Sequence, residues 1–323
     1  MAHFLQSDAW ETYQASLGEK TKSEKGEGWS FLGIEEMGPA HTKRLYAPYG
    51  PSFSNPQALE QALSRFEAAA KQSSCVFVRV EPVGDSPEAE EGAKEALERA
   101  GYHRVSHMQP EDTWRLNLTV GEEALMRGMD KSNRKRYRAM GRRGIEIRVT
   151  QDPKDVPALT ELMSQVSERN EVELRDADYV QRQADCLMPL DAATLYLAVL
   201  HVQDDEGNPT GEEKVIAANL VFDGEGTRIL IHNGSDSAYY RTGANVAMQV
   251  QIVLDAAEKG LTWADFYGMA PEGSGPDHPW AGFTKFKQSF GGEPRHYLGT
   301  WEKPVSKAKY AVYETARKIL EHK

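Results

Sequence analysis

Cysteine is nearly missing from this chain: 2 in 323 residues, Cys75 in an apolar strand pattern and Cys186 in a helical one. Neither has a neighbouring cysteine or metal-type spacing, which excludes a disulfide scaffold and leaves two buried free thiols in a reducing compartment as the expectation. No apolar run approaches the roughly 18 residues needed to cross a bilayer. The opening Met-Ala-His-Phe-Leu-Gln-Ser-Asp lacks the basic stretch and long apolar core of a signal peptide, so a cytoplasmic location is expected. Also lacking are a Cys/His cluster and a Gly-x-Ser-x-Gly elbow, which argues against a cysteine-bound metal centre and against a serine hydrolase. A pyrophosphate-binding Arg/Gln-x-x-Gly-x-Gly/Ala loop is incomplete too, Arg241-Thr-Gly-Ala-Asn-Val being the nearest fragment.

Positive charge is scarce overall and concentrated where it occurs. Net charge is −11, which argues against a generally basic nucleic-acid binder. Yet Lys131, Arg134, Lys135, Arg136, Arg138, Arg142 and Arg143 put +7 into thirteen residues without an acid, leaving −18 for the rest. An acidic protein with one intense cationic segment has a place to hold phosphate. A solvated helix face, or arginines paired with carboxylates elsewhere, would give the same run.

Hydrophobic content of 40% over 323 residues is globular and implies two domains. Strands and helices alternate, the mark of an α/β chain with mixed sheets. Residues 56–72 form a helix with Leu59, Leu63 and Phe66 on one face, and Ser74–Glu81 is a buried strand. Residues 86–100 read as an acidic helix capped by Ser86, and 121–143 as the helical stretch carrying the basic run. The pattern then restarts with strand Ile145–Thr150, helices over 156–170 and 176–188, strands over 193–202, 214–222 and 227–233, helix 243–259 and strand 263–267. Acidic, turn-rich 203–213 reads as an exposed hairpin loop, and 271–279 as a binding loop.

Near the end stands Phe283-Thr-Lys-Phe-Lys-Gln-Ser-Phe-Gly-Gly-Glu-Pro-Arg-His-Tyr-Leu-Gly299. Phe283, Phe286 and Phe290 recur at helical spacing, with Lys285 and Lys287 off that stripe. Gly291-Gly292 ends the helix, since only glycine enters the left-handed region without steric cost, and 296–301 reads as a strand. An ammonium is thereby held at a helix–turn–strand junction, where donors can converge on an anion.

That segment resembles the C-terminal signature of the FemABX family, enzymes that carry an amino acid from aminoacyl-tRNA to a peptidoglycan precursor. Four further stretches match in order: Gln6-Ser7-x-x-Trp10; the strand at Leu116 with the Arg-rich helix ending at Gly144; Gly234-Ser235 with Tyr239-Tyr240; and Asp265-Phe-Tyr-Gly268. The resemblance covers essentially the whole chain. It implies two tandem acyltransferase subdomains, similar to acetyl-CoA N-acyltransferases (GNAT), around a cleft. Residues 1–144 would be the first, with a last helix over 303–323 returning to it, and 145–302 the second. There is no room between Tyr179 and Leu195 for the coiled-coil arm of some members.

By this resemblance the protein is a monomeric transferase needing no cofactor or metal. Its partners are aminoacyl-tRNA and UDP-MurNAc-pentapeptide or its lipid-linked form, lipid II, the latter implying peripheral contact with a membrane face. Lys287 would meet the aminoacyl end and the oxyanion, and Phe286 would stack on substrate, although core packing equally accounts for a phenylalanine there. Arg175 and Tyr179 match an Arg-x-x-x-Tyr pair facing the phosphates and sugar of the precursor; four residues apart on a helix, they share a face. Glu81 falls where an acid would act as base or orient the acceptor amine. Tyr240 and His232 join the substrate-binding set, His232 standing where a tyrosine is expected. Arg134, Lys135, Arg136 and Arg138 would form a tRNA or phosphate patch. The phosphate-binding lysine expected after the opening Trp is replaced by Thr12 and Gln14. An acyl-CoA-dependent N-acyltransferase of the same fold, or a catalytically silent RNA- or precursor-binding protein, are the alternatives.

Overall fold

The computed structural model describes residues 3–170, 175–204, 206 and 208–321. Glu173 and Leu174 of the segment leading to Arg175, and Asp205 and Gly207 of the expected hairpin loop, lie outside the described residues. In chain order the elements are α1 (Asp8–Ser16), β1 (Thr21–Gly26), β2 (Trp29–Gly38), β3 (Thr42–Ala47), β4 (Ser52–Phe53), α2 (Pro56–Gln72), β5 (Phe77–Val80), β6 (Val83–Gly84), α3 (Pro87–Glu90), α4 (Ala93–Arg99) and β7 (His103–Arg104). Then come β8 (Asp112–Asn117), α5 (Glu122–Gly128), α6 (Lys131–Ala139), β9 (Ile145–Thr150), α7 (Pro157–Asn170), α8 (Ala177–Leu187), β10 (Ala193–Gln203), β11 (Pro209–Gly224) and β12 (Thr227–Ser235). The chain closes with α9 (Ala244–Glu258), β13 (Trp263–Gly268), α10 (Ala281–Gln288), β14 (Glu293–His296), β15 (Trp301–Pro304) and α11 (Lys307–Glu321). Two compact units result, Met1–Glu111 with His296–Lys323, and Asp112–Arg295.

The first unit is built on a sheet of order β6-β4-β2-β3-β5-β15-β7, with β1 hydrogen-bonded to β2. Among the described residues of this sheet, only β3–β5 and β4–β6 run parallel. Helix α2 starts where Asn55 Oδ1 accepts the Ala58 N–H at 2.9 Å and Pro56 takes the first position. Leu59, Leu63 and Phe66 of α2 are buried, each side chain contributing about 2 kcal/mol of apolar burial. The opening motif is structural: Gln6 accepts the Leu32 N–H at 2.8 Å and donates to the carbonyls of Leu32 (3.1 Å) and Pro48 (2.8 Å). Ser7 caps α1 by accepting the Trp10 N–H. Helix α11 packs on this unit, placing Tyr310 and Tyr313 against Phe77. Beneath them lies a buried ion pair in which Arg79 donates to Glu302. Tyr310 Oη donates to the other Glu302 oxygen at 2.6 Å, and Arg79 Nη2 lies 3.1 Å from Tyr313 Oη.

The second unit carries a sheet of order β14-β8-β13-β12-β11-β10-β9, with β12–β13 parallel. Helix α9, apolar on most sides, is buried against it, and α6 is fixed to α9 where Tyr137 Oη donates to Gln251 Oε1 at 2.8 Å.

The structure departs from the sequence expectations at several places. The units divide at Glu111–Asp112 rather than at Gly144, because β8 pairs with β13 and so joins the second sheet. The acidic helix breaks at Gly92, which sits at φ 75°, and the basic stretch splits into α5 and α6 at Met129–Asp130. Strand β1 was not expected from its polar sequence. The strand expected over 296–301 is instead the end of β14, an irregular link and the start of β15.

Candidate functional site

Helix α10 and the strand before it set the position of Lys287. Two fixings hold α10 to the exit of β13. Thr284 Oγ1 accepts the Ala270 N–H at 2.8 Å, and Lys287 Nζ donates to the carbonyls of Tyr267 (3.2 Å) and Gly268. On the other face, Phe286 and Phe290 meet edge-to-face at 5.1 Å and Phe290 stacks on Phe266 at 5.2 Å. Gly291 and Gly292 stop the helix at φ 79° and 93°. A side chain at Gly292 would also run into the Arg115 carbonyl oxygen of β8. An ammonium has three N–H donors; two of Lys287's are spent on backbone carbonyls, and the third has no partner among the described residues. Burial pushes the amine down to about 8, and Asp265 opposes that fall. The group is thus a half-buried cation with one N–H left over, the kind of donor that suits an oxyanion.

Asp265 is a member of this group that sequence reading did not assign. It is 3% exposed, accepts Thr113 Oγ1–H at 2.9 Å and the Tyr267 N–H at 2.7 Å, and its carboxyl is pushed up by burial. The Asp-Phe-Tyr-Gly motif was the only signal of it.

Arg175, Tyr179 and His232 come together in the second unit. Asp176 caps α8 by accepting the Tyr179 N–H at 2.7 Å. The Arg175 guanidinium lies 5.0 Å from the Tyr179 ring centre, and that ring meets His232 edge-on at 6.4 Å. Arg175 is exposed and has no acid partner among the described residues. His232 is buried beneath the tyrosine, its Nε2 2.7 Å from Gln183 Oε1, and burial brings its pKa down to about 4. A neutral imidazole donating to Gln183 supports Tyr179 from below; it is not an open contact for substrate. Tyr240 is 53% exposed on a 3-10 turn at Ser237–Thr242.

The basic run divides by function. Arg134 Nη1 donates to the carbonyls of Met126 and Arg127, both 3.1 Å, and Met129, so it closes the C-terminal end of α5. Arg134 is therefore removed from the expected phosphate patch, and Arg143, which donates to the Thr242 carbonyl at 2.6 Å, is likewise engaged. Lys131, Lys135, Arg136, Arg138 and Arg142 are exposed and carry no acid partner among the described residues.

Glu81 corrects another expectation. It lies in the first unit, 4% exposed, and its two oxygens accept four donors: Tyr46 Oη (2.8 Å), Tyr49 N (3.1 Å), Gln109 N (3.2 Å) and Thr300 Oγ1 (2.8 Å). A carboxylate so saturated ties β5 to its flanking loops and has no free lone pair directed at an amine. Phe286 is half-buried against the second core, in keeping with the packing alternative. The side chains of Glu146, His201 and Glu213 gather within metal-ligand distance. Arg148 already donates to both carboxylates there at 2.7–3.1 Å, which makes the group a surface ion-pair network.

The fold is that of paired GNAT-like units. It superposes on a tandem GNAT protein from the clavulanic acid biosynthesis pathway with a TM-score of 0.50 (12% identity, 88% of this chain and 83% of that one). It superposes on the crystal structure of FemX with a TM-score of 0.83 (18% identity, 96% and 94%). In sequence it is 28% identical over 109 residues to aminoacyltransferase FemA of Staphylococcus epidermidis, covering 34% of this chain and 26% of that protein. The family model for the FemAB family matches residues 1–208 and 204–318. The chain belongs to the FemAB family. It matches only about a quarter of the length of that staphylococcal relative. Among the described residues no helix is long and apolar enough to cross a membrane.

Proposed function

We propose that this protein is a cytoplasmic aminoacyltransferase that moves an amino acid from aminoacyl-tRNA onto the peptide of a peptidoglycan precursor, UDP-MurNAc-pentapeptide or lipid II. The supporting observation is the Lys287 ammonium, anchored by two carbonyls with its third N–H open. The acceptor amine attacks the ester carbonyl carbon, and Lys287 donates to the oxygen as it becomes negative. The attack forms the C–N bond, and collapse of the tetrahedral intermediate breaks the C–O ester bond. The ribose hydroxyl leaves with the proton that the amine gives up, so no net proton is released. Positioning of two substrates supplies several kcal/mol of the barrier reduction, and a charged donor at the oxyanion about 3 more.

Arg175 supplies a guanidinium free to fork onto precursor phosphate, with Tyr179 beside it. Lys131, Lys135, Arg136, Arg138 and Arg142 offer a phosphate-tracking face to tRNA. Purified protein given charged tRNA and each precursor form should produce the extended peptide without CoA. Binding of both partners without transfer would leave a silent binder; acetyl transfer from acetyl-CoA in place of aminoacyl transfer would overturn the assignment.

A further inference from the structure

We infer that Asp265 is the positioning residue for Lys287: its carboxylate holds open a bulge in β13 whose two carbonyls grip the ammonium. This rests on the oxyanion role given to Lys287 above. Between β13 and β8 the pairing runs Asp265 with Arg115 and then Gly268 with Thr113, three residues against two. One extra residue on β13 is a bulge, a device that re-aims groups next to sites. At this bulge the carbonyls of Tyr267 and Gly268 both accept from Lys287 Nζ.

The bulge carries a cost, since Tyr267 sits at φ 64°, a region a tyrosine rarely enters. Asp265 compensates for it. Its Oδ1 accepts the Tyr267 N–H two residues on, at 2.7 Å. Its Oδ2 accepts Thr113 Oγ1–H from β8 at 2.9 Å, which fixes the carboxylate from the neighbouring strand. A buried carboxylate at 3% exposure is expensive unless it does such work.

The charged and titratable groups facing this assembly are few. Asp265 and Tyr267 come from β13, and Arg115 from β8. Arg115 is stacked 3.8 Å from the Trp263 ring centre and paired with Glu293 at 3.3 Å. On α10 itself, Lys285 is exposed. Asp265 is the acid that acts electrostatically on Lys287.

The test uses the full chain with Asp265→Asn, Asp265→Ala and Thr113→Val. Asparagine keeps an acceptor for the Tyr267 N–H, and the Thr113 hydroxyl can turn to accept from the new amide, so the bulge persists while the charge is removed. The alkaline limb of the turnover–pH profile should then move about one unit towards acid. The Michaelis constant for the precursor should stay at the parent value. Thr113→Val, which removes one of the two donors, should lower turnover severalfold, and Asp265→Ala, if folded, on the order of a hundredfold. A second readout is independent of transfer: the NMR titration of the Lys287 ¹³Cε signal in protein carrying ¹³C-labelled lysine, identified by its loss in Lys287→Arg, should shift to lower pH in Asp265→Asn. If the parent transfers nothing, the functional reading fails, and an unshifted Lys287 titration would separately refute the link to Asp265. Parent-like turnover in a folded Asp265→Ala overturns the inference whatever the titration shows.

Discussion

Asn133 Nδ2 lies 2.8 Å from Ser289 Oγ and 3.1 Å from the Ser289 carbonyl oxygen, so the helix bearing the cations is pinned to the end of the helix bearing Lys287. The Asp130 N–H donates to the same carbonyl at 2.8 Å. The cationic face of α6 and the ammonium of α10 therefore share one rigid joint. Asn133→Ala should loosen both, lowering turnover and raising the Michaelis constant for charged tRNA together. Steady-state kinetics with tRNA as the varied substrate checks this.

Lys287→Met should separate stability from activity. The folded amine titrates near 8, below the 10.5 of an exposed lysine. Between those values the unfolded chain holds the proton and the folded one does not, so stability rises with pH there, and at neutral pH the buried charge is a burden. Removing it should leave stability within about 1 kcal/mol of the parent, because the relief of the buried charge is offset by two carbonyls that lose their donor. Turnover should fall about a hundredfold or more. Thermal melting at pH 7 beside an assay at saturating charged tRNA reads both; unchanged turnover would take Lys287 out of the mechanism.

The basic run should split under mutagenesis. Arg136→Ala with Arg138→Ala should weaken tRNA association and flatten its salt dependence by about one to two in slope, with melting unchanged. Arg134→Ala should do the reverse, costing about 1–2 kcal/mol of stability through three uncapped carbonyls while leaving the salt slope alone. Filter binding across a salt series with parallel melts distinguishes them.

Glu81 should behave as a structural acid. Glu81→Ala leaves four buried donors unsatisfied and should destabilise by about 4 kcal/mol or more. Glu81→Gln, where folded, should keep near-parent turnover. A profile in which Glu81→Gln is stable but inactive would restore the base assignment.

Acid should unfold the protein through its buried histidines. Burial brings His3 down to about 3 and His232 to about 4. As pH falls from about 6.5 through 4, the unfolded imidazoles take protons that the folded ones refuse, so stability drops across that window. His232→Gln, which can still donate to Gln183, should make the decline shallower, measured as urea midpoints at pH 4 to 7.

Much of this was legible in the sequence because it is local. The Gly-Gly stop and the packing of Phe286 against Phe290 lie within one or two helical turns, where period and propensity speak directly, although Phe283 of the same stripe is exposed. Arg175 precedes the Asp176 cap of α8, so its nearness to Tyr179 does not come from the shared helix face that the spacing implies. The errors arose where meaning depends on distant partners. Glu81 looked like a strand-end acid until Thr300 and Gln109 supplied its donors. The unit boundary followed from β8 pairing with β13, some 150 residues later. The bulge at Tyr267 is a property of that pairing, so no pattern along β13 alone could disclose it. Arg134 looked like its neighbours, and only the break between α5 and α6 turned it back onto carbonyls.

The place of β15 bears on how the chain is born. Strand β15 lies between β5 and β7, and its Glu302 is the partner of Arg79. During synthesis, residues 112–295 emerge as an uninterrupted stretch, while the first sheet waits with a gap beside β5 and a lone guanidinium in it. Domains form as units as the ribosome delivers them, so the unit of residues 112–295 has all its strands before the first sheet does. The first sheet is closed once β15 has been made.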